Sequence, residues 1–378
     1  MRQVYLDNAA TTKMSDDVYK AMIECLGTEY ANPSSLHKLG RDARNALEKS
    51  RENIANYINV GKNEIIFTSG ATESNNMALI GVCRGSKDKC KNHIITTKIE
   101  HKSILNTCKY LESIGYDITY LDVDSNGLIN VEQVKDAIKE STLLISIMAV
   151  NNEIGTIMPI KEISEEAHSK NILFHTDAVS AFGKIYIDMK NIDLMSISGH
   201  KIYGPKGIGV LYVKEGIAFE SHMYGGPQEN GLRPGTESLV NIKAMEVCVK
   251  KAIKGLEENN KIAKKRNYLY ERISSRIDGV EINGDTQYRI GGNLNISIEG
   301  INGIVLADQL SRNGIYVSTS SACNSKEIIP SYVLKALGLN DSKALSAIRI
   351  TFDDNISYVE LDYVVDNIVS IVEELREF

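Results

Sequence analysis

Glu64-Ile65-Ile66-Phe67-Thr68-Ser69-Gly70-Ala71-Thr72-Glu73-Ser74 is the stretch that decides the fold. Apolar residues of strand character run into a Gly-Ala-Thr turn and then into a helical pattern over residues 74–83. The first amides of a helix have no acceptors within it, so such a turn offers N–H groups and a hydroxyl to a phosphate. Gly and Thr also open many helices as plain caps. Gly70, Ala71 and Thr72 therefore become a phosphate site only if other chemistry gathers at the same edge.

Outward from this unit, apolar β-branched runs recur at residues 93–97, 143–150, 172–175, 194–198 and 208–213. Helical patterns at 40–58, 102–114 and 161–170 lie between most of them. Strands alternating with helices predict an α/β fold, a mostly parallel sheet covered on both faces. Ligands of such sheets bind beyond the carboxyl ends of the strands. A long helical pattern over 240–276 is expected to bridge into a second, smaller α/β unit. Its strands and helices fall at 280–282, 293–298, 303–313, 316–319, 348–352 and 359–374. Ser357 and Glu360 form a capping box for the last helix. The expected division is a large domain over 16–255 and a small one made of 1–15 and 256–378.

A chain of 378 residues exceeds one hydrophobic core. Its 43% hydrophobic and 24% charged residues are ordinary for a globular protein. A formal charge of −6 argues against nucleic acid or an anionic membrane as a direct partner. The basic run 261–266 reads as the solvated face of a helix. The N-terminal residues lack the apolar stretch of a signal peptide, and the apolar run at 143–150 is too short to cross a bilayer, so a cytoplasmic protein is expected. The six cysteines (Cys25, Cys83, Cys90, Cys108, Cys248, Cys323) form no C-x-x-C pair and no zinc-type spacing with histidine, which points away from a metal.

The chemistry lies at the strand ends. Lys201 follows an apolar run in Ser198-Gly199-His200-Lys201-Ile202-Tyr203-Gly204-Pro205-Lys206-Gly207. Burial there disfavours the ammonium and prepares a neutral amine for a Schiff base. Asp177 ends another strand, as a helix N-cap or as the carboxylate that keeps a pyridine nitrogen protonated. His101 stands at a third strand end, placed to stack on a ring or shuttle protons. Asn152, after the most apolar strand, is a turn residue or a donor to a phenolate oxygen. Cys323 sits in Ser318-Thr319-Ser320-Ser321-Ala322-Cys323-Asn324-Ser325, a small polar stretch where a thiol is accessible for reaction. Arg349, a charge inside a strand pattern, needs an anion: a substrate carboxylate or a structural partner.

These residues give the chain a resemblance, over nearly its whole length, to the cysteine desulfurases of the class-V aminotransferase group, the NifS/IscS type. The matching stretches are Tyr5–Thr12, Phe67–Ser74, Glu100-His101-Lys102, Val150–Gly155, Ser198–Gly207, Arg233-Pro234-Gly235-Thr236 and Ser321-Ala322-Cys323. The resemblance implies a fold-type-I homodimer dependent on pyridoxal 5'-phosphate (PLP), with a seven-stranded sheet in the large domain. Lys201 would carry the cofactor as a Schiff base, Asp177 would pair with its ring nitrogen and His101 would stack on the ring. Gly70, Ala71, Thr72, Ser198 and His200 would bind the phosphate, joined by Thr236 of the other subunit. Asn152 and Arg349 would hold the substrate L-cysteine, and Cys323 would take its sulfur as a persulfide for an acceptor such as an iron–sulfur scaffold or a tRNA-thiolation enzyme. His101 would be the proton shuttle near the thiol.

The chain departs from the family pattern at three places. Ser180 stands where glutamine usually bonds the phenolate oxygen, Asp353-Asp354-Asn355 follow Phe352 where a glycine is usual, and Ser320 replaces a common glycine. Two other readings remain open at this point: a lyase acting on selenocysteine or another β-substituted amino acid, in which Cys323 is dispensable, and a PLP-holding docking subunit.

Overall fold

The computed structural model describes residues 2–319, 322–324 and 327–377, with the backbone alone at 257–259, 322–324, 327 and 328. The chain opens with β1 (Val4–Tyr5), α1 (Asp16–Thr28) and α2 (Lys38–Tyr57). A strand–helix alternation follows: β2 (Ile65–Thr68), α3 (Ala71–Gly85), β3 (His93–Thr97), α4 (Lys102–Ser113), β4 (Asp117–Leu121), α5 (Val131–Ala137), β5 (Thr142–Ser146), α6 (Ile160–Ser169) and β6 (Leu173–Asp177). Then come β7 (Leu194–Ser198), β8 (Gly209–Val213), α7 (Leu239–Lys254) and α8 (Asn259–Ser274). The C-terminal part holds β9 (Val280–Ile282), β10 (Asn293–Ile298), α9 (Gly303–Arg312), β11 (Ile315–Tyr316), β12 (Ser318–Thr319), β13 (Ala322–Asn324), β14 (Glu327–Ile329), α10 (Tyr332–Ala336), α11 (Asp341–Leu345), β15 (Ala347–Thr351) and α12 (Tyr358–Arg376).

The seven-stranded sheet has the order β2-β8-β7-β6-β5-β3-β4. Its pairs are parallel except those of β8, which runs antiparallel to both β2 and β7. Side chains alternate across a strand, and the cores show it. Ile65, Phe67, Ile95, Ile145 and Phe174 join Leu47, Ile54, Ile163 and Met245 of α2, α6 and α7 on one face. Ile66, Ile94, Leu144 and Leu211 join Met77, Leu79, Ile104 and Leu111 of α3 and α4 on the other. Burial on both faces explains why these strands read as continuous apolar runs. β4 escapes such a reading because it is the polar edge strand Asp117–Leu121, with its first four residues exposed or half-buried.

A second core surrounds the antiparallel sheet β12-β15-β10-β9 and takes in α8, α9 and α12. Val4 and Leu6 of the N-terminus belong to it, and β1 pairs in parallel with β11. The N-terminal segment is thereby pinned to the second core and then passes across the end of the large sheet. The expected capping box of Ser357 and Glu360 is present at α12. The helix expected over 240–276 is instead two: a 3-10 turn at Gly255–Glu258 separates α7 from α8. Gly255 begins this break, in keeping with its poor helix propensity.

Candidate active site

The ends of β2, β3, β5, β6 and β7 point the same way and deliver their loops to one edge. Lys201 lies in the turn that follows β7. That turn is tight. A Cβ on Gly204 would meet Cys248 Sγ at 2.6 Å and the Gly199 carbonyl at 2.9 Å, while Tyr203 adopts a left-handed φ of 65°. Lys201 Nζ donates to the carbonyls of Ala9 at 2.5 Å and Ala10 at 2.7 Å. Burial, reinforced by the Arg349 cation, pushes its amine down to about 8, against upward pulls from Asp7 and Asp177. Thr12 ties the N-terminal segment to the turn through its N–H and hydroxyl, both donating to the His200 carbonyl at 2.9 and 3.0 Å. His200 Nδ1 lies 3.2 Å from Thr11 Oγ1, and burial with Lys201 and Lys206 nearby lowers its imidazole to about 4.

Asp177 ends β6 and is buried. Its Oδ1 accepts the Val179 N–H at 2.9 Å, and its Oδ2 accepts from Asn75 Nδ2 at 2.7 Å. Asn75, fully buried on α3, also donates to Ser103 Oγ at 2.8 Å. Ser103 Oγ is 2.8 Å from His101 Nδ1. His101 is the N-cap of α4, its ring accepting the Ser103 N–H at 3.1 Å. Part of the residue is exposed, and desolvation of its ring lowers its pKa. Asn75 and Ser103 carried no signal in the sequence: each sits inside a helical pattern one residue type away from ordinary.

Arg349, in β15 of the second sheet, reaches the same edge. Its Nη2 donates to Asp7 Oδ1 at 2.8 Å and its Nη1 to the Asn152 carbonyl at 3.1 Å. Among the described residues its buried Nε has no hydrogen-bond partner, nor has Asn152 Oδ1. Asp7, just after β1, is a site residue that the sequence reading passed over, although a polar residue at a strand end was the signal used for the others. The acids after Phe352 leave Arg349 undisturbed. Asp354 pairs with Lys265 at 2.9 Å, and Asp353 accepts the Asn355 N–H at 2.9 Å. Ser180 presents its carbonyl to Lys184 Nζ at 3.1 Å, and burial lowers that enclosed amine to about 8. Ala9, Asn152, Ser180, Lys184 and Lys201 share the wall of a cleft of about 930 Å³ with Asp353.

Gly70 is the N-cap of α3, with Ala71 and exposed Thr72 in its first turn. The β8 strand passes so close beneath that a Cβ on Gly209 would lie 2.7 Å from the Gly70 carbonyl carbon. Glu73 accepts the Ser69 N–H at 2.8 Å and holds Arg233 Nε at 2.8 Å. Ser198 is buried at the end of β7, whereas Thr236 is exposed on the loop after Arg233. The backbone of Cys323 lies in β13, paired with Ile328 of β14; its side chain, with Ser320 and Ser321, lies outside the described residues. The chain that follows is anchored at the site. Ser331 Oγ donates to Glu153 Oε2 at 2.5 Å, and Tyr332 Oη to the carbonyl of Glu100, the residue before His101, at 2.7 Å.

The model of the class-V aminotransferases matches residues 4–364. The chain belongs to that family. Within it, the cysteine desulfurase IscS of Clostridium botulinum (strain Kyoto / Type A2) is 43% identical over 381 residues, covering all of this chain and 96% of that protein. Among solved structures, a NifS-like protein superposes with a TM-score of 0.92 at 37% identity, covering 98% of this chain and all of its own. SspA in complex with cysteine superposes with a TM-score of 0.81 at 38% identity, covering 92% of this class-V chain and 98% of its own.

Proposed function

We propose that the protein is a PLP-dependent cysteine desulfurase, converting L-cysteine to L-alanine and leaving the sulfur as a persulfide on Cys323. One observation carries the reading. Lys201, with an amine lowered to about 8, lines a cleft with Asn152, and the buried Asn152 Oδ1 and Arg349 Nε have no hydrogen-bond partner among the described residues. Those unpartnered polar atoms suit an amino acid and its cofactor, and the donor set suits PLP. Lys201 would hold PLP, Asp177 its ring nitrogen, His101 its ring face, and Gly70, Ala71, Thr72, Ser198 and His200 its phosphate. Bound there, PLP supplies an electron sink for the charge left at the substrate α-carbon.

The protein groups then have separate tasks. Arg349 binds the substrate carboxylate through its free Nε edge, with Asn152 beside it. Lys201, neutral in a useful fraction near neutral pH, takes the α-proton. Asp177, held in place by Asn75 and the Val179 N–H, would pair with the ring nitrogen. The Cys323 thiolate attacks the substrate sulfur: an S–S bond forms, the Cβ–S bond breaks, and its electron pair returns to the carbon skeleton. Protonation there gives alanine. Cysteine and one protein thiol thus become alanine and one protein persulfide, with no external oxidant. SspA's complex with cysteine and the name of the Clostridium relative support the substrate.

The partner subunit we propose is a second copy of this chain. Tyr19, Ile23, Leu26 and Tyr30 form an exposed stripe along α1 and just beyond it, at a spacing of one helix face, continued by Leu36 and Leu39. A sulfur acceptor such as an iron–sulfur scaffold or a tRNA-thiolation enzyme would take the persulfide. Among the described residues no helix is long and apolar enough to cross a membrane. The test is turnover with L-cysteine. Wild-type protein should form alanine and one persulfide per site, and Cys323→Ala should lose both while keeping the visible band of the bound cofactor. Undiminished alanine formation in Cys323→Ala would overturn the reading in favour of a selenocysteine or β-lyase.

A further inference from the structure

We infer that His101 is wired as the neutral tautomer with its proton on Nε2, and that Ser103 and Asn75 are the positioning residues that keep it so. The argument starts at a group whose role cannot change. The Ser103 backbone N–H is always a donor, and it points at His101 Nδ1 from 3.1 Å. Nδ1 must therefore offer its lone pair, which leaves the ring proton on Nε2.

The remaining directions follow along the chain of contacts. The carboxylate of Asp177 can only accept from Asn75, so the Asn75 amide nitrogen must face it. The same nitrogen donates its second hydrogen to Ser103 Oγ. The Ser103 hydroxyl, having accepted from Asn75, turns its own hydrogen onto His101 Nδ1, 2.8 Å away. A flipped Asn75 would set its carbonyl against the carboxylate, and the present orientation leaves its buried Oδ1 without a partner among the described residues. Nδ1 thus receives two donors, one from the backbone and one from the hydroxyl.

Protonating this imidazole at Nδ1 would break both contacts and place a cation at the N-terminus of α4, where the helix dipole opposes it. The charged groups facing the ring are Asp177 of β6, which favours the cation, and Lys201 and Lys102, which oppose it. Burial works in the same direction as the two lysines. In this form the one ring hydrogen of His101 is on Nε2, and its one ring lone pair, on Nδ1, is committed to Ser103 and not free to take a proton. Its part is to hold and hydrogen-bond, and the moving proton belongs to Lys201. This assignment departs from the proton-shuttle expectation and rests on the proposed function only for what lies opposite Nε2.

The test reads nitrogen, not turnover. In the full-length chain labelled with 15N-histidine, two-bond proton–nitrogen correlations report which ring nitrogen carries hydrogen, and loss of one set in His101→Gln assigns it. Wild-type His101 should show a protonated Nε2 and a bare Nδ1 from about pH 6 to about pH 9. Ser103→Ala keeps the backbone donor but removes the hydroxyl, so its protonation midpoint should rise by about 0.5–1 unit, three- to tenfold in the equilibrium. Ser103→Thr should restore the wild-type midpoint. A protonated Nδ1 in wild type at neutral pH, or an unmoved midpoint in Ser103→Ala, would overturn the wiring. Neither result depends on whether the protein turns over cysteine.

Discussion

Replacing Lys201 with methionine should stabilise the cofactor-free protein at pH 7 and destabilise it at high pH. Methionine keeps an unbranched side chain and removes the charge that burial penalises. The amine stands at about 8 in the folded chain, against an ordinary lysine value of 10.5. At about 1.4 kcal/mol per unit, the wild-type fold carries a penalty of about 3 kcal/mol from this one residue. Below pH 8 both folded and unfolded chains hold the proton, and the full penalty applies. Between pH 8 and 10.5 the folded chain has released its proton while the unfolded chain still binds it, so the penalty fades as pH rises. Against this gain stand two hydrogen bonds, to the carbonyls of Ala9 and Ala10, together worth about 2 kcal/mol. The net effect is a gain of about 1 kcal/mol at pH 7 that becomes a loss of about 2 kcal/mol above about pH 10.5. Urea midpoints of the two cofactor-free proteins, measured side by side at both pH values, read the difference. A Lys201→Met effect of one sign and size at both would refute the claim that burial, rather than the contacts of the amine, sets its state.

Two further predictions bear on the parts around Lys201. Arg349→Lys keeps a cation but loses the planar fork that serves Asp7, the Asn152 carbonyl and the free Nε edge together. KM for cysteine should rise about 100-fold, the loss of about 3 kcal/mol expected of a charge-assisted bidentate contact, and an unchanged KM would remove Arg349 from substrate binding. Tyr332→Phe removes the hydroxyl that ties the chain after Cys323 to Glu100, a bond worth about 1 kcal/mol. Persulfide formation should slow several-fold while exchange of the substrate α-proton with solvent deuterium stays at its wild-type rate, and equal slowing of both would make the contact structural only.

The fold was legible where burial is two-sided. The runs that became β3, β5, β6, β7 and β8 are apolar because both faces of the sheet are covered. Asp117–Leu121 was illegible for the converse reason: an edge strand needs no such run. Lys201, Asp177, His101 and Asn152 stand out as candidates in the sequence because each follows a strand that is itself visible there. Asn75 and Ser103 could not. Their significance is a matter of which carboxylate and which imidazole lie within 3 Å, and helix periodicity holds no information about contacts across elements 28 or 102 residues apart. Asp7 was an intermediate case, since its strand is only two residues long and belongs to the other core.

That origin of Asp7 explains why the site sits where it does. Lys201, Asp177 and His101 are fixed to the large sheet, while Arg349 and Asp7 come from the elements of the second core. The segment from Asp7 to Thr12 joins the two sets: it grips Arg349 by a carboxylate, Lys201 by two carbonyls and the His200 carbonyl by Thr12. If cysteine binds as proposed, its carboxylate would add a second anion to the Arg349 guanidinium that already serves Asp7, and Arg349 is the leading charge that lowers the Lys201 amine. Neutralising that cation would relax its hold, so a free Lys201 amine would be a stronger base with a carboxylate at Arg349 than without one. Under the proposed function, carboxylate binding at the second core would thereby raise the proton affinity of the amine on the first and couple recognition of the carboxylate to removal of the α-proton.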